Sequence, residues 1–165
     1  MPCVELDKLP DHARLWIFAA ERPLSTTERD HLLSTVDAFL EQWTAHGIPL
    51  TAARDWRYDH FLFVGVDEQA SGVSGCSIDA LMHSLKQLEV DLDVNLLDYA
   101  PVIYKHGVSI ERVSRDRFSE LARFGEVTLD TPVYDNTITS VGELRSGHWE
   151  GPAANSWHAR AFFST

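Results

Sequence analysis

The sequence predicts an α+β fold of the ferredoxin-like, split βαβ kind, an antiparallel sheet with two helices on one face. Three observations predict it. Two segments carry apolar residues at helical spacing: Leu32, Val36, Phe39, Leu40 and Trp43, then Ile78, Leu81, Met82, Leu85 and Leu88. Short apolar or alternating runs at 13–20, 50–56, 61–66 and 101–105 have the length and bulk of strands. The resulting order is β-α-β-β-α-β, which right-handed crossovers close into one sheet. A larger mixed sheet that takes in later strands is the competing layout. At 165 residues the chain suits one domain, read as a core over 12–106 with an extension over 107–165 docked on it.

The run 13–20 (ARLWIFAA) is bulky enough for a sheet centre. Ser25-Thr26-Thr27-Glu28 is a capping box that opens the first helix, and Gly47 and Pro49 are expected to end it. Residues 50–66 read as a hairpin with its turn near Tyr58-Asp59-His60. A small-residue loop, Ala70-Ser71-Gly72-Val73-Ser74-Gly75-Cys76-Ser77, leads into the second helix, with Ser77 as its expected N-cap. Gly107 turns a short hairpin into 108–112. Ser114, flanked by Val113 and Phe118, opens a third helix that runs to Phe124 and stops at Gly125. Residues 131–134 read as a strand, and Ser140-Val141-Gly142-Glu143 as a second capping box. The tail holds Trp149, Trp157, Phe162 and Phe163, costly to leave in water, and is expected to dock on the domain.

The formal net charge of −11 argues against nucleic acid and anionic membrane as partners, because both demand clustered Lys and Arg. Cys3, in an N-terminus expected to fray, and Cys76 are the two cysteines, which fits a reducing compartment rather than a disulfide framework. The apolar run 15–20 is too short for a secretory signal and is bounded by Arg14 and Glu21. A cytoplasmic location follows as an expectation.

The segments Ala13-Arg14-Leu15-Trp16-Ile17, Trp43-Thr44-Ala45-His46-Gly47, Arg57-Tyr58-Asp59, Ser74-Gly75-Cys76-Ser77-Ile78-Asp79 and Ser156-Trp157-His158 make the chain resemble a family of uncharacterised bacterial proteins. Members often carry the name "ABC transporter ATPase". The resemblance runs along most of the chain and implies no established activity. The ATPase name itself fails on chemistry. Such an enzyme needs a G-x-x-x-x-G-K-[ST] loop whose lysine reaches the outer phosphates. The stretch Gly72-Val73-Ser74-Gly75-Cys76-Ser77 has no lysine and the wrong glycine spacing.

Chemistry is therefore sought around that loop. Cys76 stands immediately before the second helix, where amides and dipole favour a thiolate. As a nucleophile it needs a base, and His60, His83 and His158 are the candidates, His158 being the one assigned the role. The structural alternative is a small buried packing residue. The same loop can instead seat a small anionic ligand or a protein partner, through Ser74, Gly75, Cys76 and Ser77, with Ser71 adding a hydroxyl, Arg57 adding charge and Asp59 and Asp79 at the rim. The plain alternative is a flexible connection with a good cap. Asp59, Asp67, Glu68 and Asp79 could converge on a divalent cation, or simply be solvated surface. No H-x-x-x-H, H-E-x-x-H, C-x-x-C or G-x-S-x-G pattern is present, so no metal and no cofactor are expected. Asp135-Asn136 and Ser156-Trp157-His158-Ala159-Arg160 are the remaining polar clusters; a turn for the first and packing for the second are their structural explanations. The leading reading is a binding or interaction domain using 71–77. The runner-up is a thiol-dependent enzyme built on Cys76.

Overall fold

The computed structural model describes residues 3–68 and 73–164. They form a mixed α+β protein that divides into two compact units. One runs up to Leu97 and includes Thr139–Gly142; the other comprises Asp98–Ile138 and the residues from Glu143 onward.

The first unit contains β1 (Cys3–Glu5), a 3-10 turn at Leu6–Lys8, β2 (Arg14–Ala19), α1 (Thr26–Gln42), β3 (Thr44–Ala45), β4 (Ile48–Pro49), β5 (Thr51–Arg57), β6 (Phe61–Asp67) and α2 (Gly75–Leu92). Its main sheet has the order β1-β5-β6-β2. β5 and β6 are the expected hairpin, with Thr51 opposite Asp67 and Arg57 opposite Phe61. Its turn passes through Tyr58 and Asp59, both at positive φ. Both helices pack on one face. Leu32, Val36 and Leu40 of α1 and Leu81, Leu85 and Leu88 of α2 share a core with Phe18, Ala52, Leu62, Val64 and Val66. The opposite face is buried as well, through Leu15, Ile17, Phe61 and Phe63. That is why β6 reads as an unbroken apolar run rather than an alternating one. Leu9 and Leu6 close over Gly65 on this face: a Cβ there would lie 2.7 and 3.0 Å from their Cδ1 atoms.

Several expectations are corrected. The fourth strand, expected at 101–105, does not join this sheet. A strand the sequence reading did not foresee, β1, lies beside β5 and parallel to it, with Cys3 opposite Ala52. The N-terminus expected to fray is thus an edge strand. α1 has the full Ser25–Glu28 capping box but ends at Gln42, with Trp43 as C-cap, well before Gly47 and Pro49. Those residues serve a small β3–β4 hairpin instead. His46 (φ 52°) and Gly47 (φ 77°) form its turn, the two successive positive φ values that a tight hairpin demands. α2 is capped by Ser74, whose side chain accepts from the Ser77 amide. Ser77, the expected cap, lies inside the first turn and is buried.

The second unit contains β7 (Val102–His106), β8 (Ser109–Val113), α3 (Arg115–Arg123), β9 (Pro132–Tyr134), most of α4 (Val141–Arg145), β10 (Glu150–Pro152), a 3-10 turn at Ala153–Asn155 and α5 (His158–Phe163). Its sheet has the order β10-β9-β7-β8. β7 therefore pairs with its sequence neighbour across Gly107, the closure with the smallest loop entropy. α3 starts on Ser114 and ends beside Gly125, as the sequence predicts. Val102, Tyr104, Phe118, Leu121, Val127 and Val133 form the core, with Phe162 and Phe163 packed on it. The aromatic tail is thus an integral part of this second unit. Among the described residues no helix is long and apolar enough to cross a membrane.

Candidate functional site

The described half of the predicted loop belongs to an open cleft of about 410 Å³ in the first unit. Three elements build it. The end of α1 contributes Phe39, Gln42 and Trp43; the β3–β4 turn contributes Thr44 and His46; the start of α2 contributes Ser74, Cys76, Ser77 and Ala80. Ser71 and Gly72 lie outside the described residues.

The walls are fixed from behind by hydrogen bonds. The Trp43 indole Nε1 donates to the Ser77 carbonyl at 2.9 Å. The Ser77 hydroxyl donates to the Thr44 carbonyl at 2.7 Å, and the Ser74 and Ser77 hydroxyls meet at 2.8 Å. The Phe39 ring lies 5.5 Å from that of Trp43. Ser74 and Ser77 therefore turn their hydroxyls to the protein, not to a ligand. The helix start is capped from within by serine. Asp79 is exposed one turn further on. The backbone amides of Gly75 and Cys76 remain without intrahelical acceptors, as at any helix start.

Cys76 is exposed, so the buried-packing alternative does not apply. The predicted histidines do not cluster around it. His60 lies in the β5–β6 turn with its Nδ1 2.9 Å from the Tyr58 carbonyl. His83 is on α2, about 10 Å along the axis from Cys76 at 1.5 Å per residue. His158 belongs to the second unit, where it is 1 % exposed. There its Nδ1 meets the Ser156 hydroxyl at 2.6 Å, and its ring stacks on Trp157 at 3.9 Å. Burial pushes its pKa down to about 4; the Asp135 carboxylate opposes this and the Arg115 guanidinium adds to it. The histidine that does share the cleft with Cys76 is His46. Its signal in the sequence is the His-Gly pair of a hairpin turn, hidden when Gly47 is read as a helix stop.

Arg57 and Asp59 are not brought to the cleft. Trp43 and Leu50 are bonded near the Thr51–Asp67 end of the hairpin, the end on which the cleft is built. Arg57 and Asp59 mark the other end, about 20 Å away at about 3.3 Å per residue. The Arg57 Nε donates to Asp55 at 2.8 Å and its guanidinium covers Phe63. The same length separates Asp59 from Asp67, so the proposed carboxylate cluster does not assemble. Among the described residues no group of three or more His, Cys, Asp or Glu side chains could hold a metal ion. No protein-family model matches the chain, and comparison with curated proteins and with solved structures finds none similar to it.

Proposed function

We propose that the first unit is a binding module, and that its cleft at the start of α2 takes a compact ligand with an anionic group beside a flat apolar part. The observation that carries this reading is the fixed indole of Trp43. Its bond to Ser77 holds the wall in place without a ligand, and a preformed, largely apolar cleft with few polar groups is how small ligands are recognised. The Gly75 and Cys76 amides and the dipole of an 18-residue helix favour a negative group at one end. Half-buried Phe39, backed by the buried Trp43 ring 5.5 Å away, offers apolar surface at the other. The test is a titration with benzoate and with inorganic phosphate, following backbone amide shifts at 42–46 and 74–80. Saturable shifts with benzoate at millimolar concentration, tighter in Asp79→Ala, are expected. Absence of saturation with either anion, in both proteins, removes the reading.

A thiol-dependent enzyme is the second reading, and one observation favours it: exposed Cys76 shares its cleft with His46. Its test is the rate of Cys76 alkylation between about pH 5 and 9, in folded and urea-unfolded protein. An inflection moved to lower pH by folding, and lost in His46→Ala, supports a thiolate nucleophile. Superimposable profiles leave this cleft with the binding reading.

A further inference from the structure

The second unit holds a nucleophile–base pair that stands apart from the cleft on α2. After the turn Ala153–Asn155 the chain extends through Ser156 (φ −129°, ψ 175°) and enters α5. The Ser156 Oγ then lies 2.6 Å from the His158 Nδ1. It also accepts from the His158 backbone amide at 3.2 Å, and the Ala153 carbonyl lies 3.3 Å away as an alternative acceptor for its one hydrogen. The amide bond is an ordinary local turn that any residue at 158 would make. The ring bond is not: it requires histidine, held in one orientation. The surroundings supply that hold, with Trp157 stacked on the imidazole and Phe118 and Phe162 within 6.3 Å of it, centroid to centroid.

The ring is neutral at pH 7, because burial favours the uncharged form. A neutral imidazole has one acceptor nitrogen. With the ring proton on Nε2, the single Ser156 hydroxyl hydrogen goes to Nδ1 at 2.6 Å in preference to the Ala153 carbonyl at 3.3 Å. Ser156 itself is half-buried and lines a second cleft, of about 380 Å³, with Ser146, His148, Glu150 and Asn155 among its walls. A serine hydroxyl bonded to an oriented, neutral histidine and facing a cleft is the arrangement of an activated nucleophile.

We propose that Ser156 is an acyl-accepting nucleophile and His158 its general base, acting on small uncharged esters that fit the second cleft. The Ser156 Oγ forms a bond to the ester carbonyl carbon while its proton passes to the His158 Nδ1. The carbon–alkoxide bond then breaks, and the departing alcohol takes that proton. Water attacks the acyl-serine with His158 again receiving the proton, and the acid leaves as Ser156 regains its hydrogen. Glu150 on the wall disfavours anionic substrates.

The test uses the full chain. A fluorophosphonate probe, which bonds through phosphorus to an activated serine and expels fluoride, is incubated with folded and urea-unfolded protein. The modified residue is located by mass spectrometry. Labelling at Ser156 in the folded state only is expected, together with hydrolysis of 4-nitrophenyl acetate that falls about a hundredfold in Ser156→Ala. His158→Gln, checked for fold by circular dichroism, is expected to lose labelling to a similar degree. If that variant does not fold, Ser156→Ala and the unfolded control decide alone. The proposal is overturned if folded protein is unlabelled at Ser156, if a folded His158→Gln labels at the wild-type rate, or if ester hydrolysis is unchanged in Ser156→Ala.

Discussion

Two serines three residues apart, Ser74 and Ser77, are equally good helix caps on local grounds. The choice between them is made at a distance. The Thr44 carbonyl takes the Ser77 hydroxyl and draws it into the buried side, which leaves Ser74 as the cap. That bond joins residues far apart in the chain, so neighbouring residues could not reveal it. The position of Cys76 at a helix start was legible, because Gly-Cys-Ser-Ile-Asp before an apolar stripe has few other meanings. Its neighbour His46 was not. Ser77→Ala strands the Thr44 carbonyl, and we expect a loss of about 1–3 kcal/mol; Ser74→Ala removes only a cap, with a loss of about 1 kcal/mol. Urea denaturation of both variants checks the order, and a larger loss for Ser74→Ala contradicts the assignment. His158 makes a second prediction at this scale. Its pKa is lowered from 6.5 to about 4 in the folded state. Between those values the unfolded chain binds more protons, so stability rises with pH through that window. It is full above about 6.5 and falls by up to about 1.4 kcal/mol per pH unit on acidification. Denaturation midpoints across this range, compared with His158→Gln, measure the effect; equal slopes for both proteins contradict it.

Among the elements, α1 was the most legible, because its start is written in four consecutive residues. Ser25 accepts from the Glu28 amide at 3.2 Å, and the Glu28 carboxylate accepts from the Ser25 amide at 2.9 Å. Arg22 adds a paired contact to the same carboxylate at 2.9 and 2.8 Å. That guanidinium, ahead of the Ser25 bond, holds the Glu28 pKa down to about 2, from 4.5. The contribution is therefore present above pH 4.5 and lost as pH falls toward 2. A carboxyl titration by NMR should show this low midpoint, returning toward 4.5 in Arg22→Ala; an unmoved midpoint would contradict it. The end of α1 was less legible. Gly47 and Pro49 carry the marks of a helix stop, but the same residues suit a hairpin, and tertiary pairing with Trp43 and Leu50 decided for the hairpin. β6 illustrates a further gap. Its glycine looks like a weakness within an apolar run, yet Gly65 is where Leu6 and Leu9 cross the sheet. We expect Gly65→Ala to destabilise by about 1–3 kcal/mol despite the gain in strand propensity. A neutral or stabilising result in thermal denaturation would show that the two leucines move aside freely.

At the scale of the whole molecule the periodic elements were readable and their assembly was not. The two helices and the central hairpin follow from patterns within single segments. The partner of the edge strand β5 does not: β1 is only three residues long, too short to carry a period. The return of 139–142 to the first unit leaves no pattern either, because it is written in backbone bonds. Leu15 N donates to the Thr139 carbonyl at 2.9 Å, Val141 N to the Ala13 carbonyl at 3.0 Å and Gly142 N to the Asp11 carbonyl at 2.8 Å.

These bonds cover β2, which is otherwise the outer strand of its sheet. An uncovered strand edge presents unpaired amides and carbonyls to any other chain that offers the same. The first unit should therefore depend on a segment that lies nearly fifty residues beyond the end of α2, Thr139–Gly142. A fragment ending at Leu97 retains α1, α2 and the main sheet but loses the acceptor for Leu15. We expect the Leu15 amide in that fragment to exchange with solvent at least about tenfold faster than in the full chain, since the amide loses the Thr139 carbonyl. We also expect the fragment to self-associate in sedimentation as its concentration rises. Adding a peptide that spans 136–145 should restore both the slow exchange and the lower association state. If the Leu15 amide is equally protected in the fragment with and without that peptide, the 139–142 segment is a passive connection and the edge of β2 is closed by other means.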